Sequence, residues 1–246
     1  MNSITNHGWR IFALKVAVLW SGGKDSSLAC YKAIAQGYDV TDIVTFIWET
    51  PSPCTHAHPL LLIALQSKAL GIKHIEARVK DGQPYFEQYI EAISHLIKED
   101  GIEGIVTGDI VFLDISRRNW MDDICRELSI KIIKPLWDID RYEMLTELIS
   151  QGFKAVFTSV EQRWFDETWL GRELDWECLE DLKDLREKYG IDLCGEFGEY
   201  HTMIVDAPFF KEAIEISKFS KEKMDAVLFM KVIESSLKPK DPRKAD

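Results

Sequence analysis

Short apolar runs rich in β-branched and aromatic residues alternate with longer segments in which apolar residues recur at helical spacing. Because strands that alternate with helices form parallel sheets with right-handed crossovers, this pattern predicts an α/β fold. We expect a Rossmann-like parallel sheet flanked by helices. The predicted strands are residues 16–20, 42–48, 72–79, 104–107, 131–133 and 154–160.

Helix ends are predicted from residues that cap or break helices. Asp140, followed three residues later by Glu143, forms a capping-box pattern, and Gly152 is expected to end the helix that begins there. A further helix is predicted over residues 116–128. Neighbouring parallel strands need a crossover connection between them, and these predicted helices supply it.

The pattern changes after Ser159. Residues 161–189 are charged and contain three tryptophans, and no strand-like run interrupts them. A short strand is predicted at 203–205, and two β-like runs follow at 213–217 and 226–233. The chain is therefore divided into an N-terminal extension (1–14), a nucleotide-binding domain (15–159), a smaller C-terminal α+β substrate domain (160–237) and a charged tail (238–246).

Charge and composition narrow the possible partners. The 246 residues carry a net charge of −11, which argues against a non-specific nucleic-acid binder because such proteins need a basic surface. No apolar stretch is long enough to span a membrane. The five cysteines are scattered without a C-x-x-C pair, which is typical of reduced thiols in the cytoplasm. The oligomeric state is left open.

A glycine turn between the first strand and the first helix predicts a phosphate site. Its residues are Ser21, Gly22, Gly23, Lys24, Asp25, Ser26 and Ser27. Glycines let the backbone approach an anion closely, and the free N–H groups of the first helical turn point towards it. The lysine adds a positive charge and the serines add hydroxyl donors.

This turn resembles the PP-loop of the N-type ATP pyrophosphatases. It is not a Walker A loop, because Val18 and Asp25 stand where that motif has glycine and Ser or Thr. The resemblance implies that ATP is cleaved between its α- and β-phosphates and that a substrate oxygen is adenylated. It also implies that the phosphates are held by the loop, with Lys24 stabilising charge on the departing pyrophosphate.

Two other strand ends are expected at the same edge of the sheet, where ligands of α/β proteins bind. Phe46, Ile47 and Trp48 would give adenine an apolar surface and backbone groups, or else end in the core. Thr107, Gly108 and Asp109 follow the fourth strand, and Asp109 is a candidate for contact with Mg²⁺ or with ribose. Asp25 would either cap the first helix or help to hold Mg²⁺.

A second motif lies far downstream, and it consists of Gly195, Glu196, Phe197, Gly198, Glu199, Tyr200, His201 and Thr202. It resembles the G-E-x-G-E-[YF]-x-T motif of the diphthine–ammonia ligase family. Further matches in chain order are 107–110, Arg117 and Arg118, 135–137, 171–172 and 205–208. The chain departs from the family at Phe197, where glycine is usual, and at His201, where an acidic residue is usual.

The family resemblance implies a reaction and its partners. ATP, ammonium and the diphthine residue of elongation factor 2 would give diphthamide, AMP and pyrophosphate. ATP and Mg²⁺ are the implied cofactors, and elongation factor 2 is the protein substrate.

The two glutamates of the second motif, Glu196 and Glu199, are the candidate catalytic carboxylates beside Lys24. They would bind and deprotonate ammonium, or grip the trimethylammonium group of diphthine. The alternative is that one of them only fixes the loop. Substrate contacts are also predicted for His56, Arg117, Arg118, Gly195, Gly198, Tyr200 and Thr202. A zinc site at Cys54, His56 and His58 is a competing hypothesis, and a polar substrate-side loop is preferred.

Two other functions are compatible with the phosphate loop. One is a PP-loop enzyme that modifies tRNA or a small molecule, although the acidic charge and the missing cysteine pair weigh against tRNA. The other is an adenine-nucleotide-binding module without turnover.

Overall fold

The computed structural model describes residues 13–50, 57–110 and 120–240. A parallel sheet has the strand order β3-β2-β1-β4-β5. These strands are β1 (Lys15–Leu19), β2 (Asp39–Trp48), β3 (Lys73–Val79), β4 (Gly104–Val106) and β5 (Lys131–Ile133). Central β1 places Val18 in register with Ile43 of β2 and Val106 of β4. The predicted Rossmann-like sheet is confirmed.

A helix follows each of these strands, and the helices between β1 and β5 connect the strands of the parallel sheet. The described helices are α1 (Lys24–Ala35), α2 (Leu60–Leu70), α3 (Tyr85–Asp100), α4 (Trp120–Glu127), α5 (Arg141–Ser150) and α6 (Trp176–Tyr189), with a 3₁₀ turn at Glu167–Trp169. Asp140 caps α5 as predicted, because its carboxylate accepts hydrogen bonds from the amides of Tyr142 and Glu143. In the described part of the chain, no helix is both long and apolar enough to cross a membrane.

A second sheet has the strand order β7-β6-β9-β8, with antiparallel neighbours. Its strands are β6 (Lys154–Glu161), β7 (Tyr200–Asp206), β8 (Glu212–Met224) and β9 (Val227–Pro239). We expected β6 in the parallel sheet, and this was wrong. β6 is central in the second sheet, so it is as apolar as a parallel strand. The division into domains at residue 159 stays a prediction, but the change of sheet comes earlier, between β5 and β6.

The β8–β9 hairpin is longer than predicted. Each strand has 13 residues, whereas the apolar runs were only five and eight residues long. Lys238 and Pro239, which we assigned to the charged tail, pair with Ala213 and Glu212. The polar residues of this hairpin lie on partly exposed strands, where a strand needs no continuous apolar pattern.

Apolar residues of β1 pack on both faces of the parallel sheet, as the alternation of side chains along a strand requires. Val16 and Val18 belong to a buried cluster that continues into Phe157 of β6 and Ile204 of β7. Ala17, on the opposite face, belongs to a second cluster with residues of α3 and α4. The two sheets therefore share one apolar core on the face where β7 lies.

Candidate functional site

The glycine turn at 21–27 joins the end of β1 to the first turn of α1. Gly22 has a φ of +77°, and a Cβ atom there would lie 2.4 Å from Oε1 of Gln66. Gly23 is the N-cap of α1, and no side chain caps this helix. The interpretation of Asp25 as a cap was therefore wrong. The amide of Lys24 donates to the Thr202 hydroxyl, so the amides that follow it in the first turn are the ones that can bind an anion.

Two serines brace the turn. The Ser26 hydroxyl donates to the carbonyl of Gly23 at 3.2 Å and lies 3.2 Å from Oγ of Ser21. Ser27 is fully buried, and its hydroxyl has no hydrogen-bond partner among the described residues. Ser21 and Ser26 thus shape the backbone of the turn. Ser21 also lines a polar cavity, whereas Ser26 is buried and is not among the described lining residues of that cavity.

Gln66 of α2 holds the glycine turn in place by hydrogen bonds. This residue was not among the predicted site residues. Its side-chain amide donates to the carbonyls of Gly22 and Ile204, each at 2.8 Å. Its carbonyl accepts from the indole N–H of Trp20 at 2.9 Å. The signal was present in the sequence, since Gln66 is the polar residue at a core-facing position of an otherwise apolar helix, three and four residues after Ile63 and Leu62.

Strand β7 brings the second motif against the glycine turn at 21–27, which we call the phosphate turn after its predicted role. The amide of Ile204 donates to the carbonyl of Gly22 at 2.9 Å, and the Thr202 hydroxyl accepts from the amide of Lys24 at 3.4 Å. A Cβ atom on Gly23 would lie 3.0 Å from the carbonyl oxygen of Thr202. Two motifs that stand more than 160 residues apart in the sequence therefore meet at one place.

Lys24 lies buried between the two motifs, with 3% of its surface exposed. Its ammonium group donates to the Asp25 carboxylate at 2.9 Å and to the carbonyl of Cys194, and it lies 5.2 Å from the ring centre of Tyr200. Burial lowers the pKa of Lys24, but nearby negative charge, above all Asp25, outweighs burial and raises the pKa above its ordinary value. The side chain therefore carries a positive charge beside the phosphate turn.

A polar cavity of about 190 Å³ opens where the motifs meet. Its lining residues from the phosphate turn are Ser21, Gly23, Lys24 and Asp25, and those from the second motif are Gly195, Glu196, Tyr200, His201 and Thr202. His58 and Cys194 complete the described lining. The cavity thus combines predicted cofactor-binding and predicted substrate-binding residues in one space.

Glu196 and Glu199 differ in position. Glu196 lines the polar cavity, and burial, followed by the charge of Asp25, raises its pKa to about 7 against the opposing charge of Lys24. Glu199 is 3% exposed and accepts hydrogen bonds from the amides of Asp192 and Phe197. The expectation that both carboxylates face a substrate does not fit this geometry, because Glu199 fixes the loop that carries Glu196.

Two histidines, His58 and His201, line the cavity opposite the glutamate, with ring centres 5.2 Å apart. Burial, then the neighbouring His201 and the charge of Lys24, lower the pKa of His58 to about 3. Burial and Lys24 lower the pKa of His201 to about 4. Both rings are therefore neutral near pH 7. His58 was considered as a zinc ligand or as part of a polar substrate-side loop, and the latter was preferred. His201 was noted only as a departure from the motif.

An apolar cavity of about 320 Å³ adjoins the polar one, and Ser21 and His58 line both. Its other lining residues are Leu19, Trp20, Val44, Thr45, Phe46, Ile47, Trp48, Leu60 and Tyr89. The ring of Phe46 stacks on Tyr89 with centres 3.7 Å apart. The predicted strand-end residues therefore lie where a flat apolar group attached to a phosphate chain would fit.

The turn after β4 packs directly against the backbone of the phosphate turn. A Cβ atom on Gly108 would lie 2.8 Å from the backbone of Asp25 and Ser26, so only glycine allows this approach. The Thr107 hydroxyl donates to the Asp109 carboxylate at 3.0 Å. These three residues are not among the described lining of either cavity. His56, Arg117 and Arg118 lie outside the described residues.

Comparison with known proteins gives a consistent result over most of the chain. Family models described as the diphthamide synthase N-terminal and C-terminal domains match residues 14–132 and 140–236. Diphthine–ammonia ligases from Bos taurus and Homo sapiens are each 25% identical to the chain, over 92% of its length and 94% of theirs. The ligase of Schizosaccharomyces pombe is 26% identical, but the match covers 36% of that larger protein.

Proposed function

Since the chain belongs to the diphthine–ammonia ligase family, we propose that it is an ATP-dependent ligase that converts a protein carboxylate to an amide. The proposed acceptor is the diphthine residue of elongation factor 2, and the proposed nitrogen source is ammonium. The observation that carries this proposal is the polar cavity in which the phosphate turn and the Gly195–Thr202 segment face each other.

ATP fits the two adjoining cavities as follows. The apolar cavity beside Phe46 and Trp48 receives adenine, and the polar cavity receives the phosphates. The amides at the start of α1 and the ammonium group of Lys24 would then stabilise the charge that develops on pyrophosphate. The Nδ1 atom of His58 is buried without a hydrogen-bond partner among the described residues, and it lies in the ring that borders both cavities. It can therefore bind the part of the nucleotide between adenine and the phosphates.

The proposed reaction has two steps. A carboxylate oxygen of the acceptor attacks the α-phosphorus of ATP, and pyrophosphate leaves with the α,β-bridging oxygen. Ammonia then attacks the acyl carbon, and AMP leaves with the oxygen that came from the carboxylate. Glu196 suits the second step, because a carboxyl with a pKa of about 7 can take a proton from ammonium near neutral pH. Without that proton transfer, ammonium has no lone pair with which to attack.

Mg²⁺ is proposed to bind the phosphates with help from Asp25. One carboxylate oxygen of Asp25, Oδ1, is buried without a hydrogen-bond partner among the described residues, and the residue lines the polar cavity. In the described part of the chain, no three acidic, His or Cys side chains converge on one point. This fits Mg²⁺, which binds through one or two carboxylates, substrate phosphates and water. Bound there, the ion would neutralise phosphate charge. A role for Asp109 in metal binding stays a prediction.

The cytoplasm is the proposed compartment. Cys30, Cys125, Cys178 and Cys194 are buried free thiols, and burial raises the pKa of each of them, which fits a protein maintained in reduced form. Elongation factor 2 would be encountered in the same compartment.

The experiment is amide formation on purified elongation factor 2 that carries diphthine, with ATP, Mg²⁺ and ¹⁵N-ammonium. We expect ¹⁵N in the modified residue by mass spectrometry, and one AMP and one pyrophosphate for each amide. Lys24→Met should abolish both signals, and the factor without diphthine should release no pyrophosphate. Pyrophosphate release that depends on tRNA, or ATP binding without pyrophosphate release, would contradict the proposal.

A further inference from the structure

The loop that carries Glu196 is held by an ion pair that lies outside both cavities. Arg141, the first residue of α5, donates from Nε to Oδ2 of Asp192 at 3.2 Å. Both side chains are mostly buried, with 21% and 12% of their surfaces exposed. A charge pair with so little water around it is screened weakly, so its geometry is held more firmly than that of a surface pair.

Asp192 connects this ion pair to the backbone beside Lys24 by hydrogen bonds. Its other oxygen, Oδ1, accepts from the amide of Cys194 at 2.8 Å, and the carbonyl of Cys194 accepts from the ammonium group of Lys24. The amide of Asp192 itself donates to the Glu199 carboxylate at 2.9 Å. A continuous series of polar contacts therefore runs from α5 to the lysine of the phosphate turn.

Glu196 lies two residues after Cys194, and its direction into the cavity depends on this backbone. The charges that act on its carboxyl come from three elements: Asp25 and Lys24 on α1, Asp192 on the loop, and Arg141 on α5. Arg141 and Asp192 act on it with opposite sign. The ion pair is thus placed to set the position of Glu196 while adding little net charge near it.

We propose that Arg141 and Asp192 are positioning residues that hold the Cys194–Glu196 backbone against Lys24 for the step in which ammonia attacks. This inference rests on the proposed function for its kinetic consequence, but not for its structural one. Loss of the pair should leave the phosphate turn intact, because Gln66 and β7 hold that turn independently. ATP binding should therefore survive while amide formation suffers.

The test compares two ion pairs on the same helix. Arg141→Met breaks the pair to the loop, whereas Lys32→Met breaks the matched pair between α1 and Glu147 at the other end of α5, where Lys32 Nζ and Glu147 Oε2 are 2.7 Å apart. For Arg141→Met we expect an ATP dissociation constant within about twofold of wild type and amide formation at least about tenfold slower, since small displacements of a reacting group have effects of this size. Lys32→Met should change neither by more than about twofold. Arg141→Lys, which keeps the positive charge, should recover part of the lost rate.

Hydrogen exchange supplies a readout that needs no acceptor. The amides of residues 193–198 should exchange faster in Arg141→Met and at the wild-type rate in Lys32→Met, because the Cys194 amide loses its anchored partner only in the first variant. Unchanged exchange at 193–198, or equal loss of amide formation in both variants, would overturn the inference. If the wild-type chain forms no amide on elongation factor 2, the proposed function is wrong, and the exchange comparison still decides on the ion pair.

Discussion

Glu196 and Glu199 stand three positions apart in one loop, and the physical environment gives their carboxyl groups different tasks. Glu199 accepts two backbone hydrogen bonds, which fix the loop. Glu196 is half-buried beside Asp25, and burial with that charge disfavours its ionised form. A carboxyl group with a pKa of about 7 is matched to proton transfer at neutral pH, so Glu196 is the one suited to acid–base chemistry.

The first prediction follows from the raised pKa of Glu196. The folded protein holds this proton up to about pH 7, whereas the unfolded chain releases it at the ordinary, lower pKa of a glutamate. Stability should therefore fall as pH rises between those two values, because the native state binds more protons there. Glu196→Gln removes this dependence, so urea unfolding should find the variant gaining stability relative to wild type between pH 5 and pH 8.

Glu187→Gln, at an exposed position on α6, is the matched control and should follow the wild-type curve. Glu196→Gln should also form amide at a small fraction of the wild-type rate while binding ATP normally. A variant whose stability changes with pH as the wild type does would contradict the assignment of the raised pKa to Glu196.

The second prediction concerns Phe197, which stands where the family resemblance leads us to expect glycine. Its side chain is 72% exposed, and it follows Glu196 directly, between Gly195 and Gly198, which both have positive φ. A large exposed aromatic side chain beside the proposed catalytic carboxylate is well placed to contact a protein acceptor. Phe197→Ala should raise the KM for elongation factor 2 about fivefold or more, as expected for loss of an aromatic contact worth about 1 kcal/mol.

The control for Phe197 is Trp176→Ala, which removes another exposed aromatic ring, at the far end of α6 from the loop. Steady-state kinetics should show an unchanged KM for the acceptor in this variant. Both variants should unfold within about 0.5 kcal/mol of wild type, since exposed side chains contribute little to stability. An equal rise in KM for ATP in Phe197→Ala would argue against an acceptor contact.

At the scale of elements, local pattern predicted the parallel sheet because its strands and helices differ in period and length. The turn between β1 and α1 was predictable as well, because adjacent glycines after an apolar run favour a turn before a helix. Its binding of phosphate stays a prediction. The pairing of β6 was not predictable, because a central strand that is buried on both faces is apolar in a parallel sheet and in an antiparallel sheet alike. The hydrogen bond of Gln66 with Ile204 joins residues 138 positions apart. Such contacts cannot be predicted from the pattern of neighbouring residues in the sequence.

Gln66 gives the third prediction, because one side chain of α2 holds β1, the phosphate turn and β7 together. Gln66→Leu leaves the Trp20 indole N–H and the Ile204 carbonyl buried without this partner. Each unsatisfied buried group costs about 1–3 kcal/mol, so the variant should lose about 2–4 kcal/mol of unfolding free energy. It should also bind ATP more weakly, since Gly22 is no longer held.

Gln88→Leu is the control for Gln66→Leu. Gln88 makes hydrogen bonds with both backbone groups of Lys80, but it lies in the partly exposed first turn of α3, where water can replace those bonds. Chemical denaturation should place this variant within about 1 kcal/mol of wild type. A similar loss in both variants would mean that Gln66 has no special role at the junction of the sheets.

At the scale of the whole molecule, one apolar cluster contains residues of both sheets, and the polar cavity is lined by residues from the parallel-sheet side and by residues of β7. Neither sheet with its helices supplies the complete polar cavity, because Lys24 lies on α1, which follows β1 of the parallel sheet, whereas Tyr200 lies on β7 of the second sheet. A ligand in the polar cavity would contact residues on both sides of it. Its binding should therefore stabilise the packing of the two sheets on each other, and so couple ligand binding to folding.

The fourth prediction is that heat unfolds both sheets in one transition and that ATP shifts this transition as a whole. At about 100 times its dissociation constant, ATP adds about 2.7 kcal/mol of stability, which for a chain of this size raises Tm by roughly 5–10 °C. Differential scanning calorimetry with Mg²⁺ and a non-hydrolysed ATP analogue measures the shift, and Lys24→Met should remove most of it. Two transitions, of which the ligand moves only one, would show that the shared core does not couple the sheets and that the nucleotide contacts one sheet alone.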